Sequence, residues 1–412
     1  MNSKIFTHMK SKLDRQLHLI EEIAEKKNDD ISKLYYDKYY YLFEILIKFL
    51  KGKDLLIYGG YAINAVLPAK YKFYKPFELP DIDAYSYNVK SLTNEIIHHF
   101  KDTHKIQLIT TKEALHENTY KIYVEGVQLM DISKISKSDY ASLNQNSIKL
   151  DNGLRSVSID YLKYTIHLLS AESEVAYRWS KVYERMLILY EVYPVKYPCK
   201  LSLADYYVLL PEKIKTDLNA YIAKEHLPSF GWDTINMYLT DDKLYQSHKV
   251  DGGFPVHYIL YNGDLSVIGK SMLDAFKNPA IKIVERYTGD VFLPAYIVLG
   301  YQGEKFCYIF NTYSCLSVVD ISKQEKLLSI HSIITMLYAM YFSSGSTDLL
   351  CIIQFLVAAL FKNLLSRKKL FENFSLKCYG EIKGIITMRR EKEIRNLLKN
   401  KNKNKNKNVY KK

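Results

Sequence analysis

The segment from Leu55 to Asn88, LLIYGGYAINAVLPAKYKFYKPFELPDIDAYSYN, restricts the fold more than any other part of the sequence. It opens with an apolar run that predicts a strand, reaches Gly59 and Gly60, and then predicts a helix over residues 61–67. The segment closes on two aspartates separated by one isoleucine, where a second strand is predicted. Strands and a helix are both predicted here, and the fold class that we expect for the chain is α+β.

The glycine turn between the first strand and the helix suits phosphate binding. Backbone N–H groups and the positive end of the helix dipole meet at such a turn. Glycine matters there because a side chain would keep a phosphate away from the backbone. A strand, two glycines and a helix are also a common structural turn, so both interpretations of Gly59 and Gly60 stay open.

The two aspartates, Asp81 and Asp83, are the clearest candidate for chemistry. Residues at i and i+2 of a strand point to the same face. Two carboxylates on one face repel each other unless a cation lies between them. Hard divalent ions held by carboxylates are what nucleotidyl transfer uses. The same short pattern also occurs in ordinary solvated turns.

A third carboxylate is predicted on a later strand. In the stretch GVQLMDIS, Val127, Leu129 and Asp131 alternate, so Asp131 ends a row of side chains on one face. The alternative is an ordinary aspartate that makes a turn at the strand end. Asp139 and Asp160 are poorer candidates because neither ends an alternating strand.

Composition limits the class of protein. The chain has 412 residues and a net charge of +13, but the tail Arg389–Lys412 holds eleven Lys or Arg and two Glu. The body is therefore only mildly basic, and a nucleic-acid surface on it would be a local patch. The apolar segment Leu349–Phe361 is shorter than the ~20 residues of a membrane span and predicts a buried helix.

Cysteine usage points away from cross-links. Five cysteines occur, at positions 199, 307, 315, 351 and 378. Their number is odd and no pair has CxxC spacing, so we expect neither a zinc site nor a disulfide framework, and we expect a reducing compartment.

Helical periodicity covers residues 11–51, 158–193, most of 205–250, 329–343 and 347–366, and strands are predicted at 105–110, at 120–133 as a hairpin and within 254–320. No internal sequence repeat is evident.

The order of GG, D-I-D and a later strand aspartate resembles the DNA polymerase beta-like nucleotidyltransferase superfamily. One departure is the 20-residue spacing between Gly60 and Asp81. The insert contains AKYKFYKP, whose basic and aromatic residues could hold RNA by phosphate contact and stacking, or could form an exposed loop with a few buried tyrosines.

A second stretch, Val157–Val195, narrows the resemblance. Together with the R-W-x-K-V-Y-x-R segment at Arg178–Arg185 and FNTYSCLSVV at 310–319, it is similar to poly(A) polymerase catalytic subunits of large cytoplasmic DNA viruses. The likeness is to the asfarvirus and mimivirus-like group, with poxviruses more distant, and it covers roughly residues 40–365.

The resemblance implies a fold and an activity. The fold would be a nucleotidyltransferase mixed sheet with flanking helices, followed by a second, degenerate nucleotidyltransferase-like domain. The activity would be addition of adenylates from ATP to the 3′ end of viral mRNA. Asp81, Asp83 and Asp131 would hold two Mg²⁺ or Mn²⁺ ions, and Gly59 and Gly60 would contact the triphosphate.

We therefore expect a helical segment at 1–50, a catalytic domain at 51–195, the degenerate domain at 196–385 and a basic Lys/Asn-rich disordered tail at 386–412.

Three cations complete the candidate site. Arg178, Lys181 and Arg185 have the i, i+3, i+7 spacing of one helix face and could hold the ATP triphosphate or RNA phosphates. The alternative is a solvated face paired with Glu174 and Glu184. The opposite, buried face of this helix is predicted to consist of Trp179, Val182, Met186 and Leu189.

Other functions remain open at this point. The chain could be a catalytically inactive RNA-binding or processivity subunit, or another nucleotidyltransferase that acts on tRNA or a small molecule. Intact Asp81, Asp83 and Asp131 argue against the inactive subunit, because buried like charges without metal are costly. The resemblance further implies location in the virion and host cytoplasm, no membrane partner, and a homodimer or a capping-associated viral subunit as partner.

Overall fold

The computed structural model describes residues 3–114, 118–197, 206–239, 253–312, 314–322, 325–364, 375–380 and 394. The chain divides into two compact units, Met1–Val157 and Ser158–Lys412. Each unit contains a mixed sheet with helices, which confirms the predicted α+β class. The finer four-part division of the chain stays a prediction.

The helices of the first unit lie at Ser3–Leu50 (α1), Gly59–Val66 (α2), Val89–His98 (α3) and Lys137–Gln145 (α4). Its strands lie at Leu56–Tyr58 (β1), Ile82–Ser86 (β2), Ile109–Glu113 (β3), Thr119–Val124 (β4), Val127–Lys134 (β5), Ile148–Lys149 (β6) and Arg155–Ser156 (β7). A 3₁₀ turn at Ala69–Tyr71 and a π turn at His99–Thr103 connect some of these elements.

The first sheet has the strand order β3-β4-β5-β2-β1-β7-β6. Strand β1 is antiparallel to β2, and β2 is parallel to β5. On one face of these strands Ile82, Ala84, Met130 and Ile132 are fully buried. Because side chains alternate along a strand, the opposite face carries the residues in between, which include Asp83.

The helices of the second unit lie at Ile159–Ala171 (α5), Trp179–Val192 (α6), Glu212–Lys224 (α7), Trp232–Leu239 (α8), Leu265–Phe276 (α9), Ile330–Ser344 (α10) and Thr347–Lys362 (α11). Its strands lie at Tyr207–Val208 (β8), Ser229–Gly231 (β9), Phe254–Pro255 (β10), His257–Tyr261 (β11), Ile281–Tyr287 (β12), Tyr296–Tyr301 (β13), Glu304–Asn311 (β14), Leu316–Asp320 (β15), Lys326–Leu328 (β16) and Cys378–Tyr379 (β17). A 3₁₀ helix at Ser173–Arg178 precedes α6.

The second sheet repeats the topology of the first. Its order is β12-β13-β14-β11-β9-β16-β15-β17, which matches the first order strand by strand and adds β17. Strand β9 is antiparallel to β11, as β1 is to β2. Strand β11 is parallel to β14, as β2 is to β5. A serine side chain caps the helix that follows each of the corresponding strands β7 and β16, Ser158 for α5 and Ser329 for α10. The chain therefore contains two copies of one fold that share no evident sequence repeat.

Most predicted elements are present with shifted ends. The strand expected at 105–110 begins later, at β3, because α3 continues into the π turn and the chain reverses at Lys105, whose φ is +58°. The region 205–250, expected to be mostly helical, contains β8 and β9 beside α7 and α8. The apolar segment near residue 350 is the buried helix α11, as predicted. No helix in the described ranges has the length and apolar character needed to cross a membrane.

The expectation that the cysteines form no disulfides is wrong. Cys315 and Cys378 form a disulfide, and Cys351 is also disulfide-bonded, whereas Cys307 is a buried free thiol. The pairing of β15 with β17 places Cys378 opposite Ser317, beside Cys315, although 63 positions separate the two cysteines in sequence. Spacing along the chain could not reveal this pair, and the argument for a reducing compartment loses its basis.

Candidate active site

The turn from β1 into α2 has the geometry that requires glycine. Gly59 has a φ of +71°, in the left-handed region that L side chains rarely adopt. A Cβ on Gly59 would lie 2.5 Å from Oδ2 of Asp83. Gly60 follows as the second residue of α2. The glycine predicted to admit a phosphate thus also makes room for one of the predicted carboxylates.

The three predicted carboxylates lie on neighbouring positions of one sheet face. Asp83 pairs in register with Tyr58 on β1 and with Asp131 on β5. Asp81 lies just before β2, two residues from Asp83, and therefore has the same orientation relative to the strand. Asp81 is exposed, whereas Asp83 and Asp131 are half-buried. The fold brings together what the sequence separates by up to 50 positions.

Two further side chains, which the sequence reasoning missed, connect these carboxylates. The Gln128 amide donates to Asp81 at 3.0 and 3.1 Å and to Oδ1 of Asp131 at 3.0 Å. The Lys121 ammonium donates to Oδ2 of Asp131. Lys121 is the cross-strand partner of Asp131 in the β4–β5 hairpin. A regular register continued from the Val124–Val127 pair would place Tyr120 opposite Asp131. The register shift between Ile122 and Tyr123 places Lys121 there instead, so the sequence carried no signal for this pair.

The electrostatics of this face follow from those contacts. Burial lowers the pKa of Lys121, but the hydrogen bond and charge of Asp131 and the charge of Asp81 outweigh it, so the pKa is raised and the ammonium keeps its charge. Tyr58 stacks on Tyr85 at 3.9 Å between ring centroids. Burial first, and then Tyr85 and Asp83, raise the pKa of Tyr58, so its hydroxyl stays protonated.

The three carboxylates suit a hard divalent cation, because such ions prefer oxygen ligands. They lie beside the turn at Gly59, which carries no side chain. In the described part of the chain, however, no group of three or more His, Cys, Asp or Glu is arranged to hold a metal ion. Both oxygens of Asp131 accept from Gln128 or Lys121. The residue types therefore fit a divalent ion, and the hydrogen bonds of Asp131 would have to open to admit one.

The side chain of Asn64 anchors the insert after α2. Oδ1 of Asn64 accepts from the backbone N–H groups of Phe73 at 2.9 Å and Tyr74 at 3.3 Å. The Lys72 ammonium donates to the backbone oxygen of Asn64. The loop AKYKFYKP therefore has a defined conformation, with exposed lysines and half-buried aromatic rings.

The three predicted cations lie in the second unit. Lys181 and Arg185 are on α6, and Arg178 is the residue before it. Arg178 and Lys181 are exposed and Arg185 is half-buried. The opposite face of α6 is buried as predicted, through Trp179, Val182, Met186 and Leu189. Their contact with a triphosphate or RNA stays a prediction.

The second unit has no equivalent carboxylates at the matching positions of its described strands. Gly231 follows Phe230 as Gly59 follows Tyr58, and Phe230 pairs in register with Tyr258. Tyr258 in turn pairs with Tyr308, so two tyrosines take the positions of Asp83 and Asp131. Their rings stack at 5.4 Å between centroids. Hydroxyphenyl rings do not replace a hard carboxylate donor set, which explains why this copy is degenerate.

A glycine turn against one carboxylate, with a second carboxylate in register on the neighbouring parallel strand, is an arrangement that suits nucleotidyl transfer. Residues 44–172 match the family described as poly(A) polymerase catalytic subunit. The match includes the glycine turn and all three carboxylates.

The fold agrees with that of a solved structure. The crystal structure of the Megavirus polyadenylate synthase matches with a TM-score of 0.72 at 18% sequence identity, over 93% of this chain and 82% of that chain. At this identity the likeness concerns the fold, and it extends over both units. No curated protein matches the sequence.

Proposed function

We propose that the chain is a template-independent polynucleotide adenylyltransferase, which adds adenylates from ATP to the 3′ end of viral mRNA. The observation that carries the proposal is the in-register pairing of Asp83 with Asp131 beside Gly59, whose missing side chain makes room for Asp83. The family match supports the same activity. We expect the enzyme to act in the virion and the host cytoplasm, with a homodimer mate or a capping-associated subunit as partner.

The glycines and the aspartates of the first unit have different proposed roles. Gly59 and Gly60 present the N-terminus of α2 to the ATP triphosphate. Asp81, Asp83 and Asp131 would hold two Mg²⁺ or Mn²⁺ ions. When bound, such a pair lowers the pKa of the RNA 3′-hydroxyl and neutralises the leaving pyrophosphate. The sheet keeps the carboxylates on one rigid face, so the chain orients the attacking hydroxyl against the α-phosphate.

The loop AKYKFYKP is the proposed contact for RNA. Its lysines are exposed, and the Lys70 ammonium lies 4.5 Å from the ring centroid of Tyr71. Ammonium groups that alternate with aromatic rings suit a single strand, because phosphates meet the charges and bases stack on the rings. The anchor at Asn64 lowers the entropy that the loop loses on binding.

We also propose that Lys181, with Arg178 and Arg185, contacts the ATP triphosphate or RNA phosphates. Lys181→Ala should then raise the KM for ATP or for RNA and leave the unfolding free energy unchanged, because the side chain is exposed. Lys224→Ala, on the exposed end of α7, is the matched control. Equal kinetics of the two variants would reduce Lys181 to a solvated surface charge.

The activity is tested by extension of a labelled RNA primer with each of the four NTPs and Mg²⁺ or Mn²⁺. The wild-type chain should make long tails with ATP alone. The double variant Asp81→Ala/Asp83→Ala should make none, and Asp29→Ala/Asp30→Ala, which removes two exposed carboxylates from α1, should extend normally.

Two other results would change the assignment. RNA binding without extension by the wild-type chain would favour the inactive RNA-binding or processivity subunit. Extension of a tRNA or adenylation of a small molecule, with no tail on an mRNA-like primer, would favour another nucleotidyltransferase of the same fold.

A further inference from the structure

A chain of polar contacts connects side chains on the carboxylate face, the sheet face that carries Asp81, Asp83 and Asp131. The Gln128 amide bridges Asp81 and Asp131, and the Lys121 ammonium donates to the remaining oxygen of Asp131. The side chain of Asp131 is 13% exposed and that of Lys121 is 30% exposed. This contact is thus more protected than a surface ion pair, which contributes little.

These contacts meet an electrostatic need of the site. Three carboxylates on one face repel one another when no cation is present. Lys121 brings a full positive charge to Asp131, and Gln128 directs amide hydrogens to two of the three carboxylates. Hydrogen-bond donors and a positive charge therefore lie where a divalent ion would otherwise neutralise the carboxylates.

We propose that Lys121 and Gln128 form a clamp that substitutes for the divalent cation before it binds, and that the cation must displace them from Asp131. The inference rests on the proposed function, since it takes the carboxylates as the metal site. Lys121 and Gln128 are positioning residues that compete with the metal.

The competition has a direction. Removal of the ammonium leaves the face more negative, so metal affinity rises and the metal-free protein becomes less stable. A residue that only packed against the sheet would leave metal affinity unchanged. Lys112 provides the matched control, because it is the cross-strand partner of Lys121 on β3, and its ammonium lies over the ring of Tyr123.

The test measures Mn²⁺ binding to the full chain without ATP or RNA. Electron paramagnetic resonance of free Mn²⁺ is the readout. Lys121→Met should bind Mn²⁺ roughly tenfold more tightly than wild type, as expected when a unit charge a few ångströms away is removed. Lys121→Arg retains the charge and should bind as wild type does. Lys112→Met should also match wild type.

Gln128→Leu is a second variant that keeps the experiment informative if Lys121→Met does not fold, and it should tighten Mn²⁺ binding by a smaller factor. Thermal unfolding gives an independent readout. Saturating Mn²⁺ should raise the Tm of Lys121→Met more than that of wild type, since tighter binding stabilises the folded state more.

Unchanged or weaker Mn²⁺ affinity in both Lys121→Met and Gln128→Leu would overturn the clamp. Failure of the proposed function has a different signature: Mn²⁺ binding of the wild-type chain would then be absent or unaffected by Asp81→Ala/Asp83→Ala. If Lys121→Met and Gln128→Leu do not tighten Mn²⁺ binding while Asp81→Ala/Asp83→Ala still abolishes it, the metal site is supported and only the proposed competition is refuted.

Discussion

Substitution of Gly59 by alanine separates the structural and the chemical roles of the glycine turn. The added methyl group would lie 2.5 Å from Oδ2 and 3.3 Å from Cγ of Asp83. Ordinary contacts begin near 3.4 Å, so the carboxylate must move by roughly 1 Å. Because the atom in the way is the end of a flexible side chain, this movement costs little folding free energy and a large part of the activity.

The magnitudes follow from two independent effects. A non-glycine residue in the left-handed region costs about 1–2 kcal/mol. A catalytic group misplaced by about 1 Å costs on the order of 100-fold in rate. Gly52 is the matched control, since its φ is +77° and nothing lies within 4 Å of an added Cβ. Gly52→Ala should show the stability loss without the activity loss.

The assay is kcat/KM for ATP on an RNA primer, measured beside urea unfolding of both variants. We expect both to lose about 1–2 kcal/mol of unfolding free energy. Only Gly59→Ala should lose on the order of 100-fold in kcat/KM. Equal activity of the two variants, at equal stability, would refute the role of Gly59 in placing Asp83.

Four further results are expected. Cys378→Ser opens a loop that spans 63 positions and should lower the unfolding free energy by about 4 kcal/mol. An unchanged urea midpoint would contradict this. Burial lowers the pKa of His331 from 6.5 to about 4. The unfolded chain therefore binds the proton first as the pH falls, so the unfolding free energy should hold above pH 6.5 and fall between pH 6.5 and about 4. In His331→Gln the unfolding free energy should depend less on pH in that range. Asn64→Ala removes an acceptor that two backbone N–H groups share, each bond worth about 1 kcal/mol, and should weaken RNA binding several-fold in a filter assay. Removal of residues 386–412 should weaken RNA binding at low salt and leave turnover at saturating RNA unchanged, and a collapse of that turnover would mean that the tail acts in catalysis.

The glycine turn and the carboxylate strand were predictable because their signals are local. An apolar run before two glycines, and the alternation around Asp83, depend only on residues close in sequence. The alternation predicted before Asp131 is wrong, because a register shift at Leu129 interrupts it. The buried face of α6 followed from helical spacing in the same way. Element ends were less accurate, as at β3, because the π turn and the reversal at Lys105 leave no periodic signal.

The duplication of the fold was implied by the family resemblance alone, since no internal repeat in the sequence indicates it. The two sheets share strand order and register, yet tyrosines in one copy take the positions of aspartates in the other. A sheet is stabilised by its buried face and backbone ladder, so residues on the opposite face can change entirely while the topology stays. Only the pairing of strands in three dimensions makes the correspondence of Tyr258 with Asp83 visible.

The sequence by itself determined the local parts of this protein: a strand that ends in glycine, a pair of aspartates at alternate positions, and the helices that flank them. Tertiary structure decided which distant groups meet. It paired Asp83 with Asp131, set Lys121 and Gln128 on the same carboxylate face, and joined Cys315 to Cys378. The reason is physical: periodicity encodes the face on which a side chain lies, whereas strand register, which the whole sheet determines, decides which side chain lies beside it.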